Sequence, residues 1–310
     1  MKRKTMYYML LFFLVISSSV AMKFEPDKMT DKEKMVKKLV NDKLKNLKKY
    51  NVKKVVLINC QGSFIVEKST APGAWEGKDM TLYKREEAVR TTRSSVDQQT
   101  MVEIATSVKD QVVEFLRGNG FTVADESEWK NHPVYLDMQK LMEAYDEDKS
   151  TKYGMINKTE SVRTVKVAPY DMRLVPDGLI SLFKYTVLDT QKKARILEDT
   201  NSQAFVSVDF TVGYGSKSKP ELRGLNIFFQ TGLRKDDMGT KDKEGNKVYM
   251  FSAPYFDNIS LKDILEYQDS VLDGQFLSIQ KYSDAVLMMT DYSLGLFGEK
   301  LKEATAEYMK

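Results

Sequence analysis

The sequence predicts an α/β (α+β) protein in which a mixed, largely antiparallel sheet is covered by helices, with helices at the amino-terminal and carboxy-terminal ends. Its middle part predicts three successive strands, at 204–212, 222–233 and 247–253, because each is rich in β-branched and aromatic residues and is bounded by turn residues. Apolar residues at helical spacing over 97–117, followed by Gly118, predict a helix to cover the sheet.

The strand at 204–212 shows the sheet pattern most clearly, because its polar and apolar residues alternate. One side carries Phe205, Ser207, Asp209 and Thr211, and the other carries Val206, Val208, Phe210 and Val212. Such alternation is typical of an antiparallel sheet with one face on the core and one face in solvent. We therefore expect the side that carries Ser207 and Asp209 to be solvated.

A strand–helix–strand unit precedes this region. Residues 52–59 predict a central strand, because its apolar run suggests burial on both faces, and 63–67 continue it or pair beside it. The helix at 97–117 then leads to a short strand at 121–124, which is most simply a right-handed crossover. Residues 162–167 alternate and predict another strand.

The remaining segments are assigned from turn residues and helical spacing. Residues 69–96 predict a long loop, and 232–246 predict a polar hairpin loop. A helix is expected to begin at Ser260, which resembles a helix cap with Asp263 three positions later. The last helix is expected over 277–308, interrupted at its two glycines.

The amino terminus predicts a secretory signal peptide over 1–21. It has a basic start, an apolar run from Met6 to Ile16 and small residues that fit cleavage after Ala21. The alternative is an anchor that is not cleaved, although the apolar run is short for a bilayer span. The prediction is an exported protein of the periplasm, cell surface or extracellular space, with no transmembrane segment in the mature chain.

The predicted organisation is a signal peptide at 1–21, an amphipathic helix at 22–51 and a single α/β domain at 52–310 with an insertion at about 133–197. The helix has an apolar stripe that includes Val36, Leu39 and Leu47, and a lysine-rich opposite face. It is either a partner or membrane-surface helix or a helix docked on the body. Interleaved acidic residues favour the docked helix.

Charge balance bears on the kind of partner, and cysteine content bears on thiol chemistry. The leader carries three of the 48 basic residues and none of the 44 acidic ones, so the mature chain would hold 45 basic and 44 acidic residues. This balance gives no support for nucleic acid as a partner. Cys60 is the single cysteine and follows an apolar strand, which favours a buried, inert thiol.

The sequence predicts no catalytic, cofactor or metal site. The single histidine, His132, precedes Pro133 at a turn, so a catalytic triad or a zinc site of the usual type is not supported. The acidic loop at 236–244 is weighed as a calcium site, but interspersed lysines favour a solvated hairpin tip. Paired carboxylates for glycoside hydrolysis remain an alternative, although no spacing marks a pair.

Candidate partner-binding residues lie in two segments. Trp75 and Tyr83 fall in the loop at 69–96, where they either contact a partner or anchor the loop to the body. The carboxy-terminal segment is more apolar than a monomer's last helix needs, and burial in the protein's own core is the other explanation. Its candidates are Met288, Met289, Tyr292 and Phe297.

The order of elements resembles the periplasmic α/β fold of the TolB amino-terminal domain, which the curli secretion protein CsgG and the penicillin-binding-protein activator LpoB share. The residues that carry the resemblance are 55–58, the helix–turn–strand at 113–123 and the strand at 203–210. The chain departs from this group in its long insertion and in the absence of the lipid-anchor cysteine that many members carry. The resemblance implies a non-enzymatic envelope protein that binds other proteins, often as an oligomer.

These patterns together predict a secreted or periplasmic, non-enzymatic binding or assembly protein of the bacterial cell envelope. Its expected partners are other envelope or surface proteins, in a homo- or hetero-oligomer. The alternative is a secreted hydrolase that acts through carboxylates, for example a glycosidase.

Overall fold

The computed structural model describes residues 21–72, 90–136, 151–155, 158–172, 194–215, 219–231, 237–241, 247–249 and 255–309. The helices are α1 (Lys32–Leu39), α2 (Lys45–Lys49), α3 (Gln98–Gly118), α4 (Glu126–Trp129) and α5 (Ile279–Thr305), with shorter helical stretches at 133–136 and 194–199. The strands are β1 (Met22–Phe24), β2 (Val40–Lys43), β3 (Lys54–Pro72), β4 (Arg90–Arg93), β5 (Thr122–Val123), β6 (Thr151–Met155), β7 (Lys158–Val167), β8 (Ala204–Tyr214), β9 (Pro220–Thr231), β10 (Asp237–Lys241), β11 (Lys247–Tyr249), β12 (Tyr255–Leu261), β13 (Leu265–Tyr267), β14 (Leu272–Asp273) and β15 (Phe276–Leu277).

One 11-stranded sheet dominates the described part of the molecule. Its main path has the order β1-β13-β9-β8-β3-β7-β6, and β2, β4, β5 and β12 pair alongside this path. The central strand β3 runs parallel to β8 and β5, β1 runs parallel to β13, and the other pairs in this sheet are antiparallel. The prediction of a mixed, largely antiparallel sheet covered by helices is therefore confirmed.

The helices cover the apolar face of the sheet. Helices α3 and α5 pack against each other, and α3 also packs against β3 while α5 packs against β9. On β8 the apolar side carries Val206, Val208 and Phe210, which are all buried. Full burial of an apolar side chain of this size contributes about 1.5–3 kcal/mol. Hydrophobic burial therefore fixes which face of the sheet meets the helices and which face is left for polar groups.

Helix α3 forms where the sequence predicts it. The carboxylate of Asp97 caps it by accepting a hydrogen bond from the backbone N–H of Thr100 at 2.8 Å, and apolar residues such as Ile104 and Val108 are buried along one side. The chain then turns through Gly120, whose φ of 89° favours glycine, and enters β5 parallel to β3. The predicted strand–helix–strand unit is confirmed.

The amino-terminal segment differs from the single helix predicted for 22–51. It forms β1, the two short helices α1 and α2, and the strand β2 between them. Strand β2 pairs with β12, with Val40 opposite Leu261, so hydrogen bonds to a distant strand outweigh the local helical pattern. The predicted apolar stripe is nevertheless buried, with Leu39 and Leu47 both in the core.

The region after β9 also differs from the prediction. The helix expected to begin at Ser260 is absent from the described residues, where 255–261 form β12 and 265–267 form β13. Ser260 lies opposite Asn226 in the antiparallel ladder with β9, and this ladder supplies the backbone hydrogen bonds that a helix would have made. The predicted third strand appears as β11, which pairs with β10 inside the expected loop at 232–246 rather than with the main sheet.

Two further boundaries change. Strand β3 is continuous from Lys54 to Pro72, and β4 returns beside it, so both ends of the loop expected at 69–96 are strands. Helix α5 continues through Gly295 and Gly298 instead of being interrupted. Because Gly298 faces the side chain of Asn119 on the α3 side, its lack of a side chain allows close packing of the two helices. In the described ranges, no helix combines the length and the apolar character needed to span a membrane.

Candidate functional site

A cluster of polar side chains lies on the sheet face opposite the helices, at the centre of the sheet. It consists of Asn59 and Gln61 on β3 and Ser207 and Asp209 on β8, and we call it the polar cluster. In the parallel ladder Asn59 lies opposite Ser207, and Gln61 lies opposite Asp209. Because side chains two residues apart on a strand share a face, and neighbouring strands lie about 4.8 Å apart, the register brings all four together.

The polar cluster is buried, in contrast to the solvated face that the sequence predicts. Asn59 and Ser207 are each 1% exposed, Gln61 is 4% exposed, and Asp209 is partly buried. The amide nitrogen Nδ2 of Asn59 donates to Ser207 Oγ at 3.0 Å, which orients the Asn59 carbonyl oxygen away from that bond. A buried polar cluster of this kind costs stability unless its groups are hydrogen-bonded.

Three oxygen atoms of the polar cluster lack that compensation. Asn59 Oδ1, Gln61 Oε1 and Asp209 Oδ1 are buried and accept no hydrogen bond from the described part of the protein. Buried acceptors without a donor are uncommon in native proteins, and each costs about 1–3 kcal/mol. The polar cluster therefore holds three buried acceptor oxygens that have no donor among the described residues.

The carboxyl group of Asp209 is the titratable member of the polar cluster. Burial raises its pKa from the usual 3.8 to about 6, and this is only partly offset by hydrogen bonding from Gln61 and by the charge of Lys166 on β7. Asp209 is therefore ionised at pH 7 but becomes neutral under mildly acidic conditions. Perturbed carboxyl groups of this type concentrate at functional sites.

The margins of the polar cluster are more open than its centre. Asn226 on β9 lies opposite Asp209, and Thr211 on β8 lies opposite Ser63 on β3. These three side chains are partly buried, and Lys166 is exposed. Solvent exposure therefore increases from the buried centre of the polar cluster, at Asn59 and Ser207, to the positions on either side of Asp209.

A second group of charged residues ties α3 and α4 to the segment after β7. Lys109 Nζ lies 3.0 Å from Glu126 Oε1 and 2.5 Å from Asp171 Oδ2, and Lys130 Nζ lies 2.9 Å from the same Asp171 oxygen. Burial acts to raise the pKa of Asp171, but hydrogen bonds from the two lysines hold it well below its usual value. Since cations and carboxylates are matched, this group is typical of a structural ion-pair network.

The single histidine is also held in a structural arrangement. His132 Nδ1 accepts a hydrogen bond from the backbone N–H of Val134 at 3.2 Å, so the proton of the neutral ring is on Nε2. Nε2 lies 2.9 Å from Asp199 Oδ2 and donates to it. The ring thus connects the turn after α4 to the helical stretch at 194–199.

A groove of about 730 Å³ lies on another part of the surface, between α2, β12 and the end of α5. Its walls carry lysines and carboxylates that pair with one another, such as Lys48 with Glu307 at 2.5 Å and Lys300 with Glu303 at 2.9 Å. Asp257 at its edge is buried and accepts hydrogen bonds from other residues. These pairs neutralise part of the charge on the groove walls.

Four of the partner-binding candidates from the sequence, all on α5, lie in the described part of the chain. Trp75 and Tyr83 lie outside the described residues. On α5, Met288 is 44% exposed, whereas Met289 and Phe297 are fully buried in the core. Those two side chains cannot contact a partner in this conformation.

Tyr292, the remaining candidate, contacts the amino-terminal segment. Its hydroxyl group donates to the backbone oxygen of Met29 at 3.1 Å, and its ring packs edge-on against Phe24 at 5.3 Å. Tyr292 therefore holds α5 to the segment that contains Phe24 and Met29. Phe276, on the hairpin before α5, is 81% exposed and was not predicted as a contact residue.

The sequence alone predicts that a strand ends near 59–62, and it therefore does not reveal the polar cluster. A signal was present, since Asn59 and Gln61 sit two residues apart after an apolar run, and Ser207 and Asp209 alternate with valines. The pairing of these two short patterns depends on the parallel register of β3 and β8. That register is a long-range property which neither segment reveals alone.

Comparisons with protein-family models, with curated proteins and with solved structures give no match for this chain. The chemistry of the chain's own residues is therefore what indicates a function. Within the described ranges, no group of three or more His, Cys, Asp and Glu side chains is placed to hold a metal ion. The polar cluster, with its unsatisfied oxygens, is the most distinctive chemical feature of the described molecule.

Proposed function

We propose that this chain is an exported, non-enzymatic binding protein of the bacterial cell envelope that works as a subunit of an oligomer or of a larger envelope complex. Export is supported by the three-part leader at 1–21. The envelope setting is supported by the resemblance in element order to the TolB amino-terminal group. The polar cluster is its recognition site.

The observation that carries this proposal is the set of buried oxygens on Asn59, Gln61 and Asp209 that accept no hydrogen bond from the described residues. Buried oxygens without donors lower the stability of the folded protein, and a bound group that donates hydrogen bonds to them would offset this loss. Such conflicts between function and stability are common at binding sites. The chemistry favours binding over catalysis, because the polar cluster combines one carboxylate with amides and a hydroxyl group. General acid–base hydrolysis by a glycosidase uses two carboxyl groups.

The alternative function, a carboxylate-dependent hydrolase, has one observation in its favour. Glu221 on β9 lies opposite Glu266 on β13, and the two carboxylates share the space above Gly215. However, Lys68 Nζ and Arg223 NH1 each lie 3.7 Å from Glu221 Oε2, an arrangement typical of an ion-pair cluster. Polysaccharide hydrolysis by the mature protein that is lost in both Glu221→Gln and Glu266→Gln would support the alternative.

The proposed function is tested by the mass of the mature protein in solution, measured by light scattering on material purified from its native envelope fraction. We expect a discrete oligomer or a co-purifying complex. A monomer that yields no cross-linked partner in the native envelope would contradict the proposal. The control is the same measurement on protein that has been unfolded and refolded alone, which separates self-assembly from a complex with other proteins.

A further inference from the structure

The polar cluster presents acceptors in excess of donors. The amide nitrogen of Asn59 donates a hydrogen bond to Ser207, and Gln61 forms a hydrogen bond to the Asp209 carboxylate. The atoms left over are three oxygens, one of which belongs to a carboxylate. A group that satisfies all three must therefore bring hydrogen-bond donors or positive charge.

We propose that the polar cluster binds a primary ammonium group, with one N–H directed at each of Asn59 Oδ1, Gln61 Oε1 and Asp209 Oδ1. This inference rests on the proposed function, because it names the chemical class of the ligand. An ammonium group carries three donors on one atom and no acceptor, so its donors match the three oxygens in number. Its positive charge is balanced by the single carboxylate of Asp209.

Other ligand classes fit less well. An anion would face three acceptor oxygens, one of which belongs to a carboxylate. It would therefore be repelled. A guanidinium group binds best to both oxygens of a carboxylate, but hydrogen bonding from Gln61 already engages the Asp209 carboxylate. A calcium ion takes six to eight oxygen ligands, usually with several carboxylates, whereas the polar cluster holds one carboxylate.

The position of the polar cluster also suits a ligand on a flexible stem. Its centre at Asn59 is nearly inaccessible, while Asp209, Asn226 and Thr211 are partly buried. A lone ammonium ion would lose its hydration on burial without further contact, whereas an alkyl chain behind the nitrogen can pack against the partly buried Phe228, which lies opposite Ser207. A lysine side chain of a partner protein or a small alkylamine therefore presents the required chemistry.

The test is calorimetric titration of the mature protein at pH 7.5 with two probes, methylammonium and Nα-acetyl-lysine N-methylamide. The Nε-acetylated form of the second probe is the negative control, because acetylation removes the charge and two donors. Each titration is repeated with Asp209→Asn and with Asp291→Asn, which removes an exposed carboxylate on α5. Calcium chloride is titrated in parallel.

We expect the amine to bind, the acetylated form to show no binding, and Asp209→Asn to weaken binding at least tenfold while Asp291→Asn leaves it unchanged. Binding should also weaken below pH 6 in the wild type, because the Asp209 carboxylate is then protonated, but it should not weaken in Asp209→Asn. Lys166 is the charged group that acts on Asp209. A lysyl probe that binds much more tightly than methylammonium identifies a protein side chain as the source. Equal affinities identify a small amine.

Several outcomes would overturn the inference. If Asp209→Asn does not affect amine binding, the amine binds at another site. If the protein binds calcium but no amine, and Asp209→Asn abolishes calcium binding, the polar cluster is a metal-ion site. Absence of binding by both amines refutes the ammonium inference. If the light-scattering experiment still shows a complex in the envelope, only this inference fails and the proposed function stands.

Discussion

Replacing Asp209 with asparagine should stabilise the protein at neutral and alkaline pH. The pKa of Asp209 is raised from 3.8 to about 6, and one pKa unit corresponds to about 1.4 kcal/mol. Ionising Asp209 in the folded state therefore costs at most about 3 kcal/mol. Since the side chain is partly buried rather than fully buried, we expect about 1–3 kcal/mol.

The sign of the pH dependence follows from the raised pKa. Below pH 3.8 the carboxyl group is neutral in both the folded and the unfolded chain, so its contribution to stability is fully retained. This contribution is lost as the pH rises from 3.8 through 6, because the unfolded chain then releases its proton more readily. The gain from Asp209→Asn should therefore be near zero at pH 4 and reach its full value by about pH 7.5.

The measurement is urea unfolding of the wild type and Asp209→Asn at pH 4, 6 and 8, followed by tryptophan fluorescence, to which the buried Trp129 contributes. Asp257→Asn is a matched control, because burial also raises the pKa of Asp257. Unlike Asp209, the two oxygens of Asp257 accept hydrogen bonds from Asn46 Nδ2 and Leu47 N, each at 2.7 Å. That variant should lose about 1–3 kcal/mol because an amide cannot accept both bonds. If Asp209→Asn is less stable than the wild type at pH 8, Asp209 has a structural role and our reasoning is wrong.

Three further predictions concern other parts of the chain. Gly62→Ala should cost about 1–3 kcal/mol in urea unfolding, because a Cβ would stand 2.4 Å from the ring of Phe210, whereas Gly224→Ala, with no heavy atom nearer than 4.0 Å, should cost much less. Burial raises the pKa of the Cys60 thiol, so this thiol should resist alkylation at pH 8 in the folded protein and react after unfolding. Fast alkylation of the folded protein would contradict the position of Cys60 in the core. Amino-terminal sequencing of the secreted protein should begin at Met22, and a chain that retains residues 1–21 would refute cleavage after Ala21.

Elements determined by local pattern were predicted correctly. Helix α3 has its cap at Asp97, its apolar stripe and its glycine ending within one short segment, and β8 carries a clear alternation. Both patterns agree with the tertiary structure, so local and global preferences coincide. The fold class followed from these elements.

Elements determined by distant partners were not predicted. Residues 40–43 have helical spacing but pair with β12, and Ser260 resembles a helix cap but lies in the ladder with β9. In both places the hydrogen bonds of the sheet override a weak local preference. No signal inside either segment identifies its partner strand.

The polar cluster was only half visible in the sequence. The alternation of Ser207 and Asp209 was recognised, but a solvated face was expected, and Asn59 and Gln61 were placed at a strand end. Their contact with β8 spans 148 positions of the chain, so it required the parallel register of the two strands. Met289 and Phe297 were proposed as partner contacts because an apolar helix face looks the same in sequence whether it meets a core or another protein.

The central claim is that recognition takes place on the polar face of the sheet and not on the surface of α5. It is tested most directly by placing a photoreactive amino acid at Thr211, which borders the polar cluster, or at Met288, which is exposed on α5, in cells that express the protein. We predict that irradiation yields a discrete cross-linked product from position 211 and none from position 288. A product from position 288 alone would contradict the account and return the partner site to α5.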